Sequence, residues 1–282
     1  MILVTGATGN IGRHVVTTLV DEGHDVRALT RDPEHAGLPS EVDVAIGDFD
    51  AVETLTPAMK GVDTVLLASY GPTTGSQDAN VANAAEAAGA ARIVKISIAG
   101  VDAGDGDPVT EWHRAGEAAV DRVGIPRTFL RCGELMTTAL WWAETIRSMG
   151  KVFVPFADGP SAPIDPFDVA TVAARCLTGS RPDDSEALLL TGSEVLTSRA
   201  RVQMLGAMLG TPLECVEVSR EAAFERMVAA GQPSVIASAR LDMIEVKSKG
   251  PGAAPSHTVE AVTGRPAQTF ENWAARNFSA FR

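Results

Sequence analysis

The chain opens on Met1-Ile2-Leu3-Val4-Thr5-Gly6-Ala7-Thr8-Gly9-Asn10-Ile11-Gly12-Arg13-His14-Val15-Val16, a strand, a glycine-rich turn and the start of a helix in succession. Ile2, Leu3 and Val4 form a short apolar run of the kind buried in parallel sheets. Ile11, Val15, Val16, Leu19 and Val20 then recur at helical spacing until Gly23, which stops the helix. Between strand and helix stand three glycines spaced GxxGxxG. Glycine permits a tight turn and a close backbone approach, and the helix start offers free N–H groups and the positive end of the dipole. Three glycines alone are a weak signal; between a clear strand and a clear helix they predict a diphosphate cradle. A Walker A loop would need GxxxxGK[ST], which Arg13-His14 after Gly12 does not supply.

Working outward, further apolar runs lie at residues 26–29, 42–46, 62–68 and 92–98, and each reads as a fully buried parallel strand. Helical patterns lie between them, notably an Ala-rich one over about 76–89 and another over about 110–123. Asp50 and Glu53 form a capping-box pattern for the helix that follows them. This alternation predicts an α/β fold, a Rossmann-like doubly wound parallel sheet with helices on both faces. After Ile125-Pro126 come a strand at 128–131 and a helix at 138–149. Asp165, Pro166 and Asp168 read as N-cap, N1 and N3 of a helix reaching Leu177. A strand at 187–191, helices from Thr197 and Ser219, a strand at 213–218 and a looser Gly/Pro segment at 249–255 complete the chain. The expected organisation is a core over residues 1–133 and a smaller C-terminal α/β lobe over 134–282, with some later strands returning to the main sheet.

Composition narrows the function. The 282 residues are 45% hydrophobic and 21% charged, as in globular domains. Lys and Arg number 24 against 36 Asp and Glu, a net charge of −12 that repels a polyanion, so nucleic acid is not expected as a partner. Cys132, Cys176 and Cys215 stand far apart, with no CxxC; they predict neither disulfides nor a zinc site, and suit a reducing cytoplasm. No basic stretch precedes the first strand, so no signal peptide is expected, and no apolar run approaches the ~18 residues of a membrane span.

The end of the second strand selects the cofactor. An acidic residue there holds the ribose hydroxyl of NAD, whereas an Arg accommodates the 2′-phosphate of NADP. Arg31 takes that position and favours NADP(H), although Asp32 follows directly. Asp48, ending the third strand, either accepts from an adenine amino group or caps the next helix.

GATGNIG at 6–12, ALTRDP at 28–33, IGDFD at 46–50 and GVDTVLLAS at 61–69 together resemble the NmrA-like branch of atypical short-chain dehydrogenases/reductases. Trp112-His113-Arg114-Ala115-Gly116-Glu117, the segments at 124–131 and 167–170, and Val262-Thr263-Gly264-Arg265-Pro266 fit in order, so the resemblance spans nearly the whole chain. It implies that Gly6, Gly9, Asn10, Gly12 and Arg31 hold the cofactor phosphates, with Thr8 and Ile11 also binding the cofactor, that Asp48 contacts adenine, and that Ser69 lines the nicotinamide ribose. The branch includes NADPH-dependent quinone reductases, phenylpropanoid reductases and non-catalytic dinucleotide sensors.

The chain departs from short-chain dehydrogenases in one respect. Their acid is a Tyr four residues before a Lys. Here Tyr70 is the single tyrosine and no YxxxK exists; the Lys position falls on His113 and the Tyr position on Val109. His113 is therefore the candidate proton donor, with ribose contact or solvent exposure as the alternatives. Ser97 either reaches nicotinamide or substrate, or is a satisfied strand-end hydroxyl. Tyr70, Trp112 and Trp141 are candidate contacts for an aromatic substrate; of the adjacent Trp141 and Trp142, at most one can face a cleft. Glu117 is expected to pair within its own helix region, and Asp168 to act as a cap. The expected function is NADPH-dependent reduction of a small carbonyl, quinone or enone, with a non-catalytic NADP(H) sensor as the alternative. Nucleotide-sugar chemistry ranks low, because it depends on the missing Tyr-Lys pair.

Overall fold

Strand β1 (Ile2–Thr5) is buried along its whole length, as a run flanked by strands on both edges and helices on both faces must be. The computed structural model describes residues 1–104, 106–180, 187–250 and 254–282. After β1 come α1 (Gly12–Asp21), β2 (Val26–Thr30), β3 (Asp43–Ile46), α2 (Val52–Ala58), β4 (Thr64–Leu67), α3 (Thr74–Ala87), β5 (Arg92–Ile98), α4 (Pro108–Val120) and β6 (Arg127–Cys132). A 3-10 segment, Met136–Trp142, leads through α5 (Ala143–Met149), β7 (Lys151–Val154) and α6 (Pro166–Leu177) to β8 (Ala187–Leu190). Then follow α7 (Ser198–Leu209), β9 (Glu214–Glu217), α8 (Arg220–Ala229), α9 (Ser234–Ser248), α10 (Thr258–Thr263) and α11 (Phe270–Arg276).

Seven parallel strands form the sheet in the order β3-β2-β1-β4-β5-β6-β8, so the Rossmann-like doubly wound α/β fold is present. The order reverses between β1 and β4. A crevice opens at such a reversal beyond the carboxyl ends of the strands. Side-chain alternation assigns the faces: Ile2 and Val4 pack with Val15, Val16 and Leu19 of α1 and with Val169, Val172 and Ala173 of α6. Leu3 points the other way, toward Leu55 of α2, Val81 and Ala85 of α3, and Val120 of α4. A third cluster, including Trp142, Val152, Leu205, Phe270 and Trp273, fills the C-terminal lobe around the parallel pair β7 and β9. β8, from the later half of the chain, is the edge strand beyond β6.

Three sequence expectations are corrected here. Residues 42–46 do not make a strand buried on both faces: β3 is the opposite edge strand of the sheet, and Val44 and Ile46 are exposed. The capping box at Asp50 and Glu53 does not form. Ala51 is the N-cap without a side-chain bond, while Asp50 accepts from Gln77 Nε2 at 3.0 Å. The helix expected over 138–149 is instead the 3-10 segment followed by α5. By contrast, Asp107, Asp165, Thr197 and Ser219 each accept a backbone N–H as N-caps. The Gly/Pro segment at 249–255 lies partly outside the described residues. No described helix is long and apolar enough to cross a membrane.

Candidate functional site

The crevice is pinned open at its base by one hydroxyl. Thr5 Oγ1 donates to the Leu66 carbonyl at 2.8 Å and accepts from the Ala68 N–H at 2.8 Å, tying the ends of β1 and β4 together. The chain then turns through Gly6 at φ +60°, where a Cβ would lie 3.2 Å from the Ala68 Cβ. A Cβ on Gly12 would collide with the Gly6 carbonyl, so the turn closes only with hydrogen there. The amide N–H groups of Asn10, Ile11 and Gly12 find no acceptor among the described residues. Free N–H groups in a glycine cradle at a helix start fit a dinucleotide diphosphate. Arg13, which sequence reasoning passed over, donates to the Thr8 carbonyl at 2.9 Å and the Gly9 carbonyl at 3.1 Å and stiffens the mouth of the turn.

Arg31 extends from the end of β2, exposed, with no hydrogen bond or ion pair among the described residues. Its neighbour Asp32 is occupied: it accepts from the His35 N–H at 3.3 Å and lies 2.9 Å from His35 Nδ1. Asp48 is half-buried, and its carboxylate accepts from the Asp50 N–H at 3.0 Å, so it fastens the turn before α2.

On the other side of the reversal, Ser69 and Tyr70 follow β4, and α4 brings Trp112 and His113 to them. The Tyr70 ring meets Trp112 edge-on at 6.0 Å and His113 at 6.2 Å. His113 is buried and its Nδ1 has no hydrogen-bond partner among the described residues. Burial pushes its pKa down to about 3, with the Lys95 and Lys247 charges acting in the same direction. The ring is therefore neutral at physiological pH and offers one N–H as a hydrogen-bond donor rather than a transferable imidazolium proton. Val109 is fully buried in α4, so no hydroxyl replaces the missing tyrosine. Ser97 is turned to Glu117, donating to Oε1 at 2.5 Å. Glu117 pairs outside its helix region: it accepts from Arg131 Nε at 3.0 Å and Nη2 at 2.7 Å on β6. The two tryptophans divide as helical geometry requires. Trp142 is buried in the lobe under Arg201, and Trp141 is exposed with the Arg240 guanidinium 3.8 Å above its ring.

Beneath Ser69 and His113 lies a pair not singled out in the sequence. Lys95 Nζ, fully buried on β5, is 2.5 Å from Asp78 Oδ2, fully buried on α3, and 3.4 Å from Ser69 Oγ. Burial raises the Asp78 pKa, while Lys95 and Ser69 oppose the shift. The signal was present: Lys95 interrupts an otherwise apolar buried strand, and a charge there demands a partner.

The pattern of the family described as NAD(P)H-binding matches residues 6–179. The chain belongs to this family. Within it, the chain is 40% identical to the (4-alkanoyl-5-oxo-2,5-dihydrofuran-3-yl)methyl phosphate reductase of Streptomyces griseus subsp. griseus, over 100% of this chain and 99% of the relative. It is 32% identical to the NAD(P)H azoreductase of Xenophilus azovorans over 100% and 99%. Its structure resembles that of the NADPH-dependent quinone oxidoreductase of Escherichia coli in complex with NADPH, with a TM-score of 0.84 and 26% identity over 99% and 100% of the two chains. The motif resemblance to NmrA-like, quinone-reductase-like proteins agrees with these matches. The chain is an NAD(P)H-dependent oxidoreductase by that relationship.

Proposed function

We propose that the protein reduces a small conjugated carbonyl compound, an enone or a quinone, and uses NADPH in preference to NADH. The observation that carries this reading is the meeting of Tyr70, Trp112 and neutral His113 beside a diphosphate cradle. The Streptomyces relative's name specifies an alkanoyl-substituted oxo-dihydrofuran, a ring in which C=C is conjugated to carbonyl groups, and this supports the substrate class. Bound NADPH supplies the hydride, and the proton that completes the reduction comes from solvent. The chain's own residues do the rest. Asn10, Ile11 and Gly12 receive the diphosphate with free N–H groups, and Arg31 receives the 2′-phosphate. Tyr70 and Trp112 offer ring surfaces against which a flat substrate stacks. His113 donates a hydrogen bond toward the carbonyl oxygen as charge develops on it, which a neutral imidazole does without first losing a proton.

The test is NADPH consumption, followed by its near-ultraviolet absorbance, against a panel of quinones and enones. The expected result is turnover of several members, slower with NADH. No turnover above background across the panel, together with NADP⁺ affinity in the micromolar range or tighter, would favour the dinucleotide sensor instead.

A further inference from the structure

Helix α9 packs against α4 and touches the loops that follow β4 and β5 at the carboxyl end of the sheet. Ile236, near its start, stands 3.8 Å from where a Cβ on Gly71 would be, and Lys247, near its end, donates to the Ala99 carbonyl at 3.0 Å beyond β5. Residues 236, 240 and 247 share one face of a helix, so Arg240 stands between these two contacts, over the Tyr70 loop. Its guanidinium is stacked on Trp141 at 3.8 Å. Its Nε is buried with no hydrogen-bond partner, and it has no ion pair among the described residues. The carboxylate that acts on it, Glu134, is committed elsewhere, to Arg201 at 2.9 Å, Ser161 at 2.7 Å and Thr138 at 2.8 Å. Burial lowers the Arg240 pKa, and its charge is felt by the Tyr70 hydroxyl.

A half-buried arginine without a carboxylate is costly in a chain that carries 36 acidic residues. Arginine's planar fork suits one class of ligand above others, an oxyanion taken by two parallel N–H groups. Trp141 holds the plane of that fork from one side and leaves its edge free.

We propose that Arg240 is the anchor for an oxyanion substituent, phosphate or carboxylate, carried by the substrate at the end remote from the reducible carbonyl. The inference rests on the reductase reading for the word substrate, and on the geometry of α9 for the anion. Arg240 draws the anionic end under α9, Trp141 fixes the guanidinium, and the ring of the substrate is left against Tyr70 and His113. The acidic molecule thus presents a cation at the crevice where an anionic substrate enters.

The test is calorimetric titration of NADP⁺-saturated protein with 1-naphthyl phosphate, 1-naphthoate and 1-naphthol; saturation blocks the cofactor's own phosphate sites. Wild type should bind at least one of the two anions roughly tenfold to hundredfold more tightly than naphthol, as expected for charge-assisted hydrogen bonds. The ratio between phosphate and carboxylate identifies the oxyanion. Arg240→Met should erase the preference and leave naphthol and NADP⁺ affinities within about threefold. Equal affinities in wild type, or a preference that survives in Arg240→Met, would overturn the proposal. Should Arg240→Met not fold, Arg240→Lys, which keeps the charge but not the fork, should lose most of the preference; full retention would overturn it equally. Binding alone is measured. A protein that prefers the anions yet reduces no quinone or enone therefore keeps the anion site and loses the reductase reading.

Discussion

Arg31 and Asp32 stand side by side after β2, yet only one is free to meet a cofactor. The Asp32 carboxylate is taken by His35, while the Arg31 guanidinium projects with no ion pair among the described residues. A charge-assisted hydrogen bond to a 2′-phosphate is worth about 1.5–3 kcal/mol. Arg31→Ala should therefore raise the NADP⁺ Kd roughly tenfold to hundredfold in a binding titration, with NAD⁺ affected less than about threefold. A comparable loss for both cofactors would sink the assignment. At His113 the decisive property is its charge state. Its pKa is pushed from 6.5 to about 3, so the folded ring stays neutral while the unfolded ring takes a proton. Protonation of the unfolded ring alone therefore leaves stability at its full value above about pH 6.5 and lowers it as pH falls from there toward 3. Denaturant titrations should show wild type losing stability across that window more steeply than His113→Gln. The activity profile should carry no limb near pH 6.5 that the substitution removes. The sequence named His113 by alignment with a missing lysine; its neutrality came from the shell of apolar groups and the nearby lysines, which are distant in the chain.

At the scale of elements, the pair Lys95–Asp78 joins β5 to α3 directly under the site, and α4 crosses over it at Gly116. A Cβ on Gly116 would collide with the Asp78 carboxylate and lie 2.9 Å from Lys95 Cε. Gly116→Ala should destabilise the protein by about 1–3 kcal/mol in denaturant unfolding and lower turnover by displacing His113, three residues earlier. Lys95→Met strands a buried carboxylate and should cost roughly 3–5 kcal/mol, whereas Lys95→Met with Asp78→Leu should recover most of that loss. Failure of the double variant to recover would mean that Lys95 acts on the cofactor side through Ser69 and not as a buried pair. Element positions were largely readable: strands and N-caps such as Thr197 and Ser219 fall where apolar runs and polar starts put them. The pairings between elements were not, because Lys95 and Asp78 are seventeen positions apart and meet only through packing.

For the whole molecule, one junction ties the lobe to the sheet. Glu134, just after β6, accepts from Arg201 of α7, Ser161 and Thr138. A second runs from the start of α6, where Asp168 accepts from the Gln268 N–H at 2.7 Å and from Arg265 at 3.2 Å, and Asp165 pairs with Arg276. Asp168, expected as a helix cap, is a fastener for the C-terminal segment. Burial pushes the Glu134 pKa up, but Arg201, Ser161 and Thr138 outweigh it and hold it below 4.5. The junction's stabilisation is therefore present above about pH 4.5 and lost as pH falls below it. Glu134→Gln should lower stability by roughly 2–3 kcal/mol near neutral pH, measured by denaturant unfolding, with the difference from wild type narrowing in acid.

The parallel sheet, the glycine turn and the dinucleotide class of cofactor are legible along the chain, because they rest on local patterns: apolar runs, helical spacing and glycines at a strand–helix junction. The sequence by itself also determined that no Tyr-Lys pair exists. The tertiary structure alone decided which charges are free and which are spent. Asp32 and Asp48 are tied within their own turns, Ser97 is bound to Glu117, His113 is held neutral, and Arg240, stacked on Trp141 but without an ion pair among the described residues, is brought over Tyr70 from a helix some 170 positions away. Charge state and availability depend on burial and on neighbours remote in sequence, and those exist only once the chain has folded.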